Sequence, residues 1–312
     1  MQTILGSNGV IGQALAKELP KFKTNIRLVS RNPKKVNQND ELLSADLTLK
    51  EDVYKAIEGS EVAYLCIGLK YDIKTWRKEW PVLMRNVLDA CAKYKCKLVF
   101  VDNVYAIDTA EIGNITEESN MKPFSKKGAV RKEIDQMILD DMQAGKVEAI
   151  IARCADYYGP STELSLVMIA TYNQFIKNKK AQWIGYPKVP HTYTYSEDAG
   201  KAMALLGNTP DAYNQIWNLP TEKRGFTGED WVNLVAKEMG KSASYSNIQP
   251  FMVRVLGIFI PILREVYEMQ YQFEIPYKLN SDKFEKRFGI MATPYEKGMK
   301  ETLNDLAQMN PK

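Results

Sequence analysis

The sequence has a single histidine, His191, and four cysteines, Cys66, Cys91, Cys96 and Cys154, no two of them in a C-x-x-C pair. A zinc site built from cysteine and histidine is therefore disfavoured, and no metal is expected. Ser-His-Asp or Cys-His catalysis would have to use His191, which lies in Pro190-His191-Thr192-Tyr193 rather than in a recognisable nucleophile context. Long apolar runs are also missing. The most apolar stretch, Val253 to Leu263, is broken by Arg254, Gly257 and Pro261 and falls far short of the roughly 20 residues a bilayer span needs. There is no large excess of one charge: 42 Lys and Arg against 38 Asp and Glu leave +4, too little to drive sequence-independent binding to phosphate backbones. Nucleic acid is thus not the expected partner. The opening Met1 to Val10 carries no charged leader or small-residue cleavage site, which points to a cytoplasmic protein.

What is present is an ordinary globular composition, 45% hydrophobic and 26% charged, over 312 residues, about two domains' worth of chain. Short apolar runs alternate with helical patterns through the first half: Thr3 to Leu5, Ile26 to Val29, Val62 to Ile67, Lys97 to Val101 and Val147 to Ile151 read as strands. Between them Ile11-Leu15-Leu19, Val82-Val87-Ala90 and the stretch from Val130 to Met142 have the 3.6-residue period. That alternation predicts an α/β fold, a Rossmann-type doubly wound parallel sheet. Past about residue 155 the pattern loosens into aromatic loops, short strands and helices, predicting a smaller C-terminal α+β substrate lobe. The expected division is 1–155 for nucleotide binding and 156–312 for substrate, with some elements returning to the first domain.

Gly6, Gly9 and Gly12 stand directly after the first strand and directly before a helix, in Gly6-Ser7-Asn8-Gly9-Val10-Ile11-Gly12. One glycine permits the tight turn, one lets backbone approach a pyrophosphate, and one lets helix and strand pack closely, while the helix N-terminus offers N–H groups to the anion. The second strand ends in Ser30-Arg31 followed by Asn32, Pro33, Lys34 and Lys35, where an NAD enzyme usually places an acid for the ribose hydroxyl. A guanidinium there pairs with a 2′-phosphate, so NADP is expected in preference to NAD; a solvated basic loop is the alternative. Asp46 and Leu47 fall near the expected adenine, with a helix cap before Thr48 as the other reading of Asp46.

These residues resemble the extended short-chain dehydrogenase/reductase family, of the NAD(P)-dependent epimerase/dehydratase type. Further markers are Cys66-Ile67-Gly68 after a strand, Val99-Phe100-Val101, and Arg153 to Pro160 with its Tyr157-Tyr158-Gly159-Pro160. The closing segment Phe288 to Pro294 fits as well. The resemblance implies a dinucleotide in contact with Gly6 to Gly12, Ser30, Arg31, Asp46, Leu47, Cys66 and Gly68. It also implies general acid–base chemistry by a Ser or Thr, a Tyr and a Lys, the last two spaced Y-x-x-x-K, with the hydride carried by the cofactor. None of the seventeen tyrosines has a Lys four residues on. The matching stretch is Lys127-Gly128-Ala129-Val130-Arg131, with Lys127 in the Tyr place and Arg131 in the Lys place, and Asn103 falls where the Ser or Thr belongs. Arg131 keeps donors for a ribose or phosphate, and Asn103 keeps one for a carbonyl oxygen.

Lys127 and Tyr158 are the candidate replacements for the missing phenol, and Tyr105, Tyr157 and His191 the candidate substrate contacts. An exposed basic loop at Lys127 and core packing at Tyr157 and Tyr158 are the alternatives. Alternation across His191 to Tyr195 predicts a half-buried strand. The apolar run from Phe251 to Phe273 reads as core or a subunit-packing helix; an apolar substrate pocket or a membrane-surface contact is the alternative. The functional expectation is an NADP-binding oxidoreductase or epimerase-like enzyme, monomeric or homodimeric, acting on a small carbonyl or hydroxyl compound such as a nucleotide sugar. A non-catalytic NADP-binding sensor is the competing class.

Overall fold

A strand buried on both faces needs a covering element on each, so apolar runs alternating with amphipathic helices force a layered build. The computed structural model describes residues 1–22, 25–162 and 165–309; residues 163–164 and 310–312 of the expected substrate lobe lie outside them. The chain begins with β1 (Gln2–Leu5), α1 (Val10–Glu18), β2 (Ile26–Ser30), β3 (Glu41–Ser44), α2 (Lys50–Ile57), β4 (Val62–Leu65), α3 (Ile73–Tyr94), β5 (Lys97–Asp102), α4 (Lys126–Gln143) and β6 (Ala149–Arg153). It continues with β7 (Asp156–Tyr158), α5 (Leu166–Ala170), α6 (Tyr172–Phe175), β8 (Ala181–Ile184), β9 (Tyr193–Tyr195), α7 (Ser196–Gly207) and β10 (Gln215–Asn218). The last elements are α8 (Gly228–Glu238), β11 (Tyr245–Ile248), α9 (Pro250–Leu256), α10 (Pro261–Tyr267), α11 (Asp282–Phe288) and α12 (Tyr295–Met309). Two compact units result: Met1–Ala106, Met121–Arg153 and Glu197–Leu219 form one, and Ile107–Asn120, Cys154–Ser196 and Pro220–Lys312 the other.

In the first unit seven strands form a parallel sheet in the order β10-β6-β5-β4-β1-β2-β3, the doubly wound α/β arrangement expected from the sequence. Leu5 of β1 lies opposite Val29 of β2 on one side and Leu65 of β4 on the other. The chain runs outward from β1 to β3, then returns to the far side of β1 for β4, β5 and β6. That reversal leaves a crevice at the carboxyl ends of β1 and β4. Leu65, Trp80, Leu83, Leu98, Phe100 and Ile134 fill the space between sheet and helices.

Three strands depart from the sequence expectation. β3 gave no signal, because Glu41 to Ser44 is a mostly exposed edge strand without a repeating apolar face. β4 stops at Leu65 rather than Ile67, since the chain there closes on Gly6, where a Cβ would stand 2.9 Å from the Ile67 Cα. β6 runs two residues later than expected, to Arg153, whose buried guanidinium reaches Asp135 at 3.6 Å.

The second unit is built on two parallel strand pairs, β8 with β11 and β7 with β9, around an aromatic core of Tyr158, Tyr193, Trp231 and Tyr295. The expected half-buried strand at His191 to Tyr195 is instead fully buried. Its polar side is satisfied internally: Thr194 Oγ1 accepts the Ala155 N–H at 3.0 Å and shares a hydrogen bond with Thr221 Oγ1 at 3.2 Å. Alternating polarity therefore does not mean alternating exposure. From Phe251 to Tyr267 the run is mostly surface rather than core, whereas Met269, Gln270 and Gln272 beyond it are buried. Pro250 and Pro261 start α9 and α10, seven residues each, and helices this short turn Val253 and Glu265 inward while most of their apolar side chains stay at the surface.

Candidate dinucleotide-binding site

The turn after β1 is shaped by what glycine lacks. Gly6 has φ +89° and a Cβ there would lie 2.9 Å from Ile67 backbone; at Gly12 a Cβ would lie 2.7 Å from the Gly6 carbonyl oxygen and 2.9 Å from the Ser7 Cα. Backbone cannot move aside as a side chain can, so only glycine fits at either position. Gly9, at 3.3 Å from the Gly6 oxygen, is less constrained. It is the N-cap of α1 and has no side chain to occupy the helix's first N–H groups. Ser7 is buried beneath the turn and bonds the Val29 carbonyl through both its N–H and its hydroxyl, at 3.1 and 3.3 Å. Asn8 Nδ2 donates to the Asn32 carbonyl at 2.7 Å.

These elements enclose a cavity of about 620 Å³, the size of a small-molecule or cofactor site. Of the residues singled out in the sequence, Gly6, Asn8, Gly9, Ser30, Arg31, Asp46, Leu47, Cys66 and Gly68 line it. Ser7, Ile11 and Gly12 lie buried below, and Val10 opens α1. Ala45, Thr48, Ile67, Leu69, Lys70, Thr75 and Glu79, which the sequence did not single out as cofactor contacts, also line the cavity. Thr75 and Glu79 are four apart on α3, a spacing that puts both on one helix face, but only the fold shows which face meets the cavity.

At the rim the Ser30 Oγ is buried and makes no hydrogen bond among the described residues, and Arg31 beside it is exposed. Asp46 accepts the Thr48 N–H at 3.0 Å and its hydroxyl at 2.8 Å. Those bonds, the backbone one first, with the Arg31 charge adding to them, hold its carboxyl below the usual range. Asp46 thus closes a turn on Thr48 and does not cap α2, whose N-cap is Leu49.

The three positions matching the family's working residues lie in the same unit. Ser125 caps α4 by accepting the Gly128 N–H at 2.9 Å. This places Lys127 in the first turn, fully buried, its Nζ 4.7 Å from the Tyr71 ring centre. It is therefore not part of an exposed basic loop. Arg131, one turn on, is also buried: Nη1 donates to Asp102 Oδ1 at 3.1 Å, and the guanidinium stands 4.9 and 4.4 Å from the rings of Trp76 and Trp80. The ribose-holding role implied for Arg131 by the resemblance meets a fork already engaged by a carboxylate and two indoles, and Arg131 is not among the residues that line the cavity. Asn103 Oδ1 accepts the Tyr105 N–H at 3.0 Å, and the Tyr105 ring stacks on Trp76 at 6.3 Å.

Asp102, Arg131, Asp135 and Arg153 together form a buried cluster of two acids and two guanidiniums that the sequence did not reveal. Burial raises the Asp102 carboxyl above its usual value despite Arg131 and Arg153. It raises Asp135 well above, with the neighbouring Asp102 charge adding to the shift.

Tyr157, Tyr158 and His191 belong to the second unit. Tyr158, a candidate acid from the sequence, is fully buried, packed against Tyr195, Trp231 and Tyr295 at 5.0 to 5.5 Å, and its hydroxyl donates to the Thr293 carbonyl at 3.4 Å. This is a core residue, which is the packing alternative the sequence offered. His191 is buried between Phe273 and Tyr277, whose rings lie at 4.9 and 4.0 Å, with Nε2 3.2 Å from Asp156 Oδ2. Tyr157 is half-buried on β7.

A seven-stranded parallel sheet with a glycine turn at the point where strand order reverses defines a Rossmann-type α/β protein. Residues 3–219 match the NAD dependent epimerase/dehydratase family, and the chain belongs to that family. Among solved structures it is similar to the UDP-glucose 4-epimerase of Thermus thermophilus in complex with NAD, at 18% identity and TM-score 0.75 with 98% of each chain covered. It is also similar to the UDP-glucuronic acid 4-epimerase of Bacillus cereus in complex with NAD, at 16% identity and TM-score 0.79 with 99% of each chain covered. Pal from Bacillus thuringiensis matches at 19% identity and TM-score 0.80, over 99% of this chain and all of that one. At these identities the likeness is one of fold.

Proposed function

We propose that the protein binds NADP in the first unit and acts as an oxidoreductase or epimerase on a small carbonyl or hydroxyl compound of the nucleotide-sugar class. The observation that carries the cofactor half is the Ser30 hydroxyl, buried without a partner among the described residues and set beside Arg31 on the cavity that the glycine turn lines. The residues fit the group: Gly6 and Gly12 hold space that a Cβ would fill, and the N-terminus of α1 suits a pyrophosphate. Ser30 and Arg31 hold the 2′-phosphate, Asp46 and Leu47 border the adenine, and Cys66 and Gly68 continue the wall after β4. When bound, the dinucleotide supplies hydride transfer.

In this reading the protein's own residues handle the proton. Lys127 stands where the family has its phenol, and its ammonium gives a proton to, or its amine takes one from, the substrate oxygen. The Asn103 amide donates a hydrogen bond to that oxygen, and Tyr105, held by Trp76, borders the substrate. Nucleotide sugars head the substrate panel because the solved neighbours include epimerases of UDP-glucose and UDP-glucuronic acid.

A second reading, a protein that binds NADP without turning it over and signals its occupancy, is favoured by Arg131, whose guanidinium is engaged by Asp102 and two indoles. Titration with NADPH and NADH, followed by nicotinamide fluorescence and thermal shift, tests the cofactor assignment. Turnover of UDP- and dTDP-sugars or small carbonyls that disappears in Lys127→Ala supports the enzyme. Tight NADPH binding with no turnover of any panel member supports the sensor, and failure to bind either dinucleotide overturns both.

A further inference from the structure

Exposed apolar side chains scattered singly over a surface are ordinary, whereas a contiguous group of them is not. Nine of the exposed large apolar residues fall between 251 and 267, so this short stretch of the second unit concentrates what the rest of the surface disperses. α9 and α10 form a hairpin whose connection, residues 257–260, carries the most exposed side chains: Ile258 is 77% and Phe259 79% accessible, with Phe251 at 69% on α9. Val253 of α9 anchors the hairpin inward.

Charge on the hairpin has one sign at the surface. Arg254 and Arg264 are exposed, and the only acid between Pro250 and Tyr267, Glu265, is buried. We propose that this hairpin is a membrane-surface anchor that inserts its tip, Ile258 and Phe259, into the acyl boundary of an anionic bilayer while Arg254 and Arg264 meet the head groups. No helix among the described residues is long and apolar enough to cross a membrane, so the contact lies in the interfacial plane.

Two observations favour lipid over a second copy of the chain. A two-fold contact would set the same positively charged patch against itself, whereas anionic head groups complement it. Side chains that stand so far out of the surface also give a rigid partner little to close around, while an acyl layer deforms to cover them.

The test uses the full chain, sedimented with vesicles of phosphatidylcholine alone or mixed with phosphatidylglycerol. Binding to the mixed vesicles, weakened by added salt, is expected. Ile258→Asp together with Phe259→Asp is expected to lower the partition coefficient by about a hundredfold or more, with an unchanged melting temperature, because both side chains are already solvent-exposed. Arg254→Gln with Arg264→Gln is expected to remove the preference for mixed vesicles and leave a weaker, salt-insensitive association. The proposal is overturned if the wild-type chain binds neither vesicle, if the tip variant binds as the wild type does, or if the chain is a dimer that the tip variant dissociates, which would assign the face to a second copy.

Discussion

Replacing Arg131 by Met separates a structural role from a cofactor-holding one, and the geometry sets the size of the effect. The substitution deletes the guanidinium that donates to Asp102 at 3.1 Å and lies 4.9 and 4.4 Å from the rings of Trp76 and Trp80. A hydrogen bond between charged groups contributes about 1.5–3 kcal/mol and a desolvated cation over an indole about 1–2. Met refills much of the apolar space, and Arg153 still faces the remaining acids. A loss of about 2–4 kcal/mol at neutral pH follows. Its pH dependence has a defined sign. Burial already raises the folded pKa of Asp102, and Arg131 opposes that rise, so the variant raises it further. An acid with a raised folded value contributes fully below its unfolded pKa, about 3.9, and loses that contribution as pH climbs through the folded value. The penalty of Arg131→Met is therefore smallest near pH 4 and grows toward neutrality. Urea unfolding of both proteins at pH 5 and pH 8, with NADPH titration at each, measures it. Adding Asp102→Asn is expected to recover part of the loss, since the acid no longer charges without its partner. A variant as stable as the wild type at pH 8 that has lost NADPH would refute the structural assignment and return Arg131 to the ribose.

The same cluster predicts that Asp135→Asn flattens the dependence of stability on pH. The folded pKa of Asp135 is raised well above its ordinary value, so the wild type loses stability as pH rises through that value and the neutral amide does not; parallel slopes in urea titrations from pH 4 to 8 would count against the raised value. Arg31→Ala is expected to weaken NADPH by tenfold or more, the loss of a charged contact to phosphate, and to leave NADH unaffected; equal effects on both would remove the 2′-phosphate assignment. Gly12→Ala is expected to destabilise the fold by about 1–3 kcal/mol through overpacking, because its Cβ would lie 2.7 Å from the Gly6 oxygen; an unchanged melting temperature would mean that α1 shifts freely. Lys127→Met should keep NADPH affinity within a few-fold and abolish any turnover, which a binding titration beside a substrate assay will show.

Much of the first unit was determined by local sequence. Each buried strand is a short apolar run, so β1, β2, β4 and β5 announce themselves, and the glycines at 6, 9 and 12 specify a turn that other residues cannot make. Ser30 and Arg31 could be read because they stand at the end of the second strand, beside that turn. Tertiary structure decided everything that depends on which groups meet. The pairing of Asp102 with Arg131 and of Asp135 with Arg153 joins β5, α4 and β6, and no local pattern encodes the burial that turns those charges into structural contacts. Lys127 reads in sequence like its exposed neighbours but is buried over Tyr71, because Ser125 starts the helix two residues before it and fixes the face it takes. Tyr158 and His191 look like reactive groups in the chain, yet the second unit packs both among aromatic rings. The reverse holds for residues 251–267: an apolar run promises a core, but two prolines cut it into helices too short to bury it. Hydrophobicity fixes which residues favour leaving water, and only the packed chain determines whether there is an interior for them to enter.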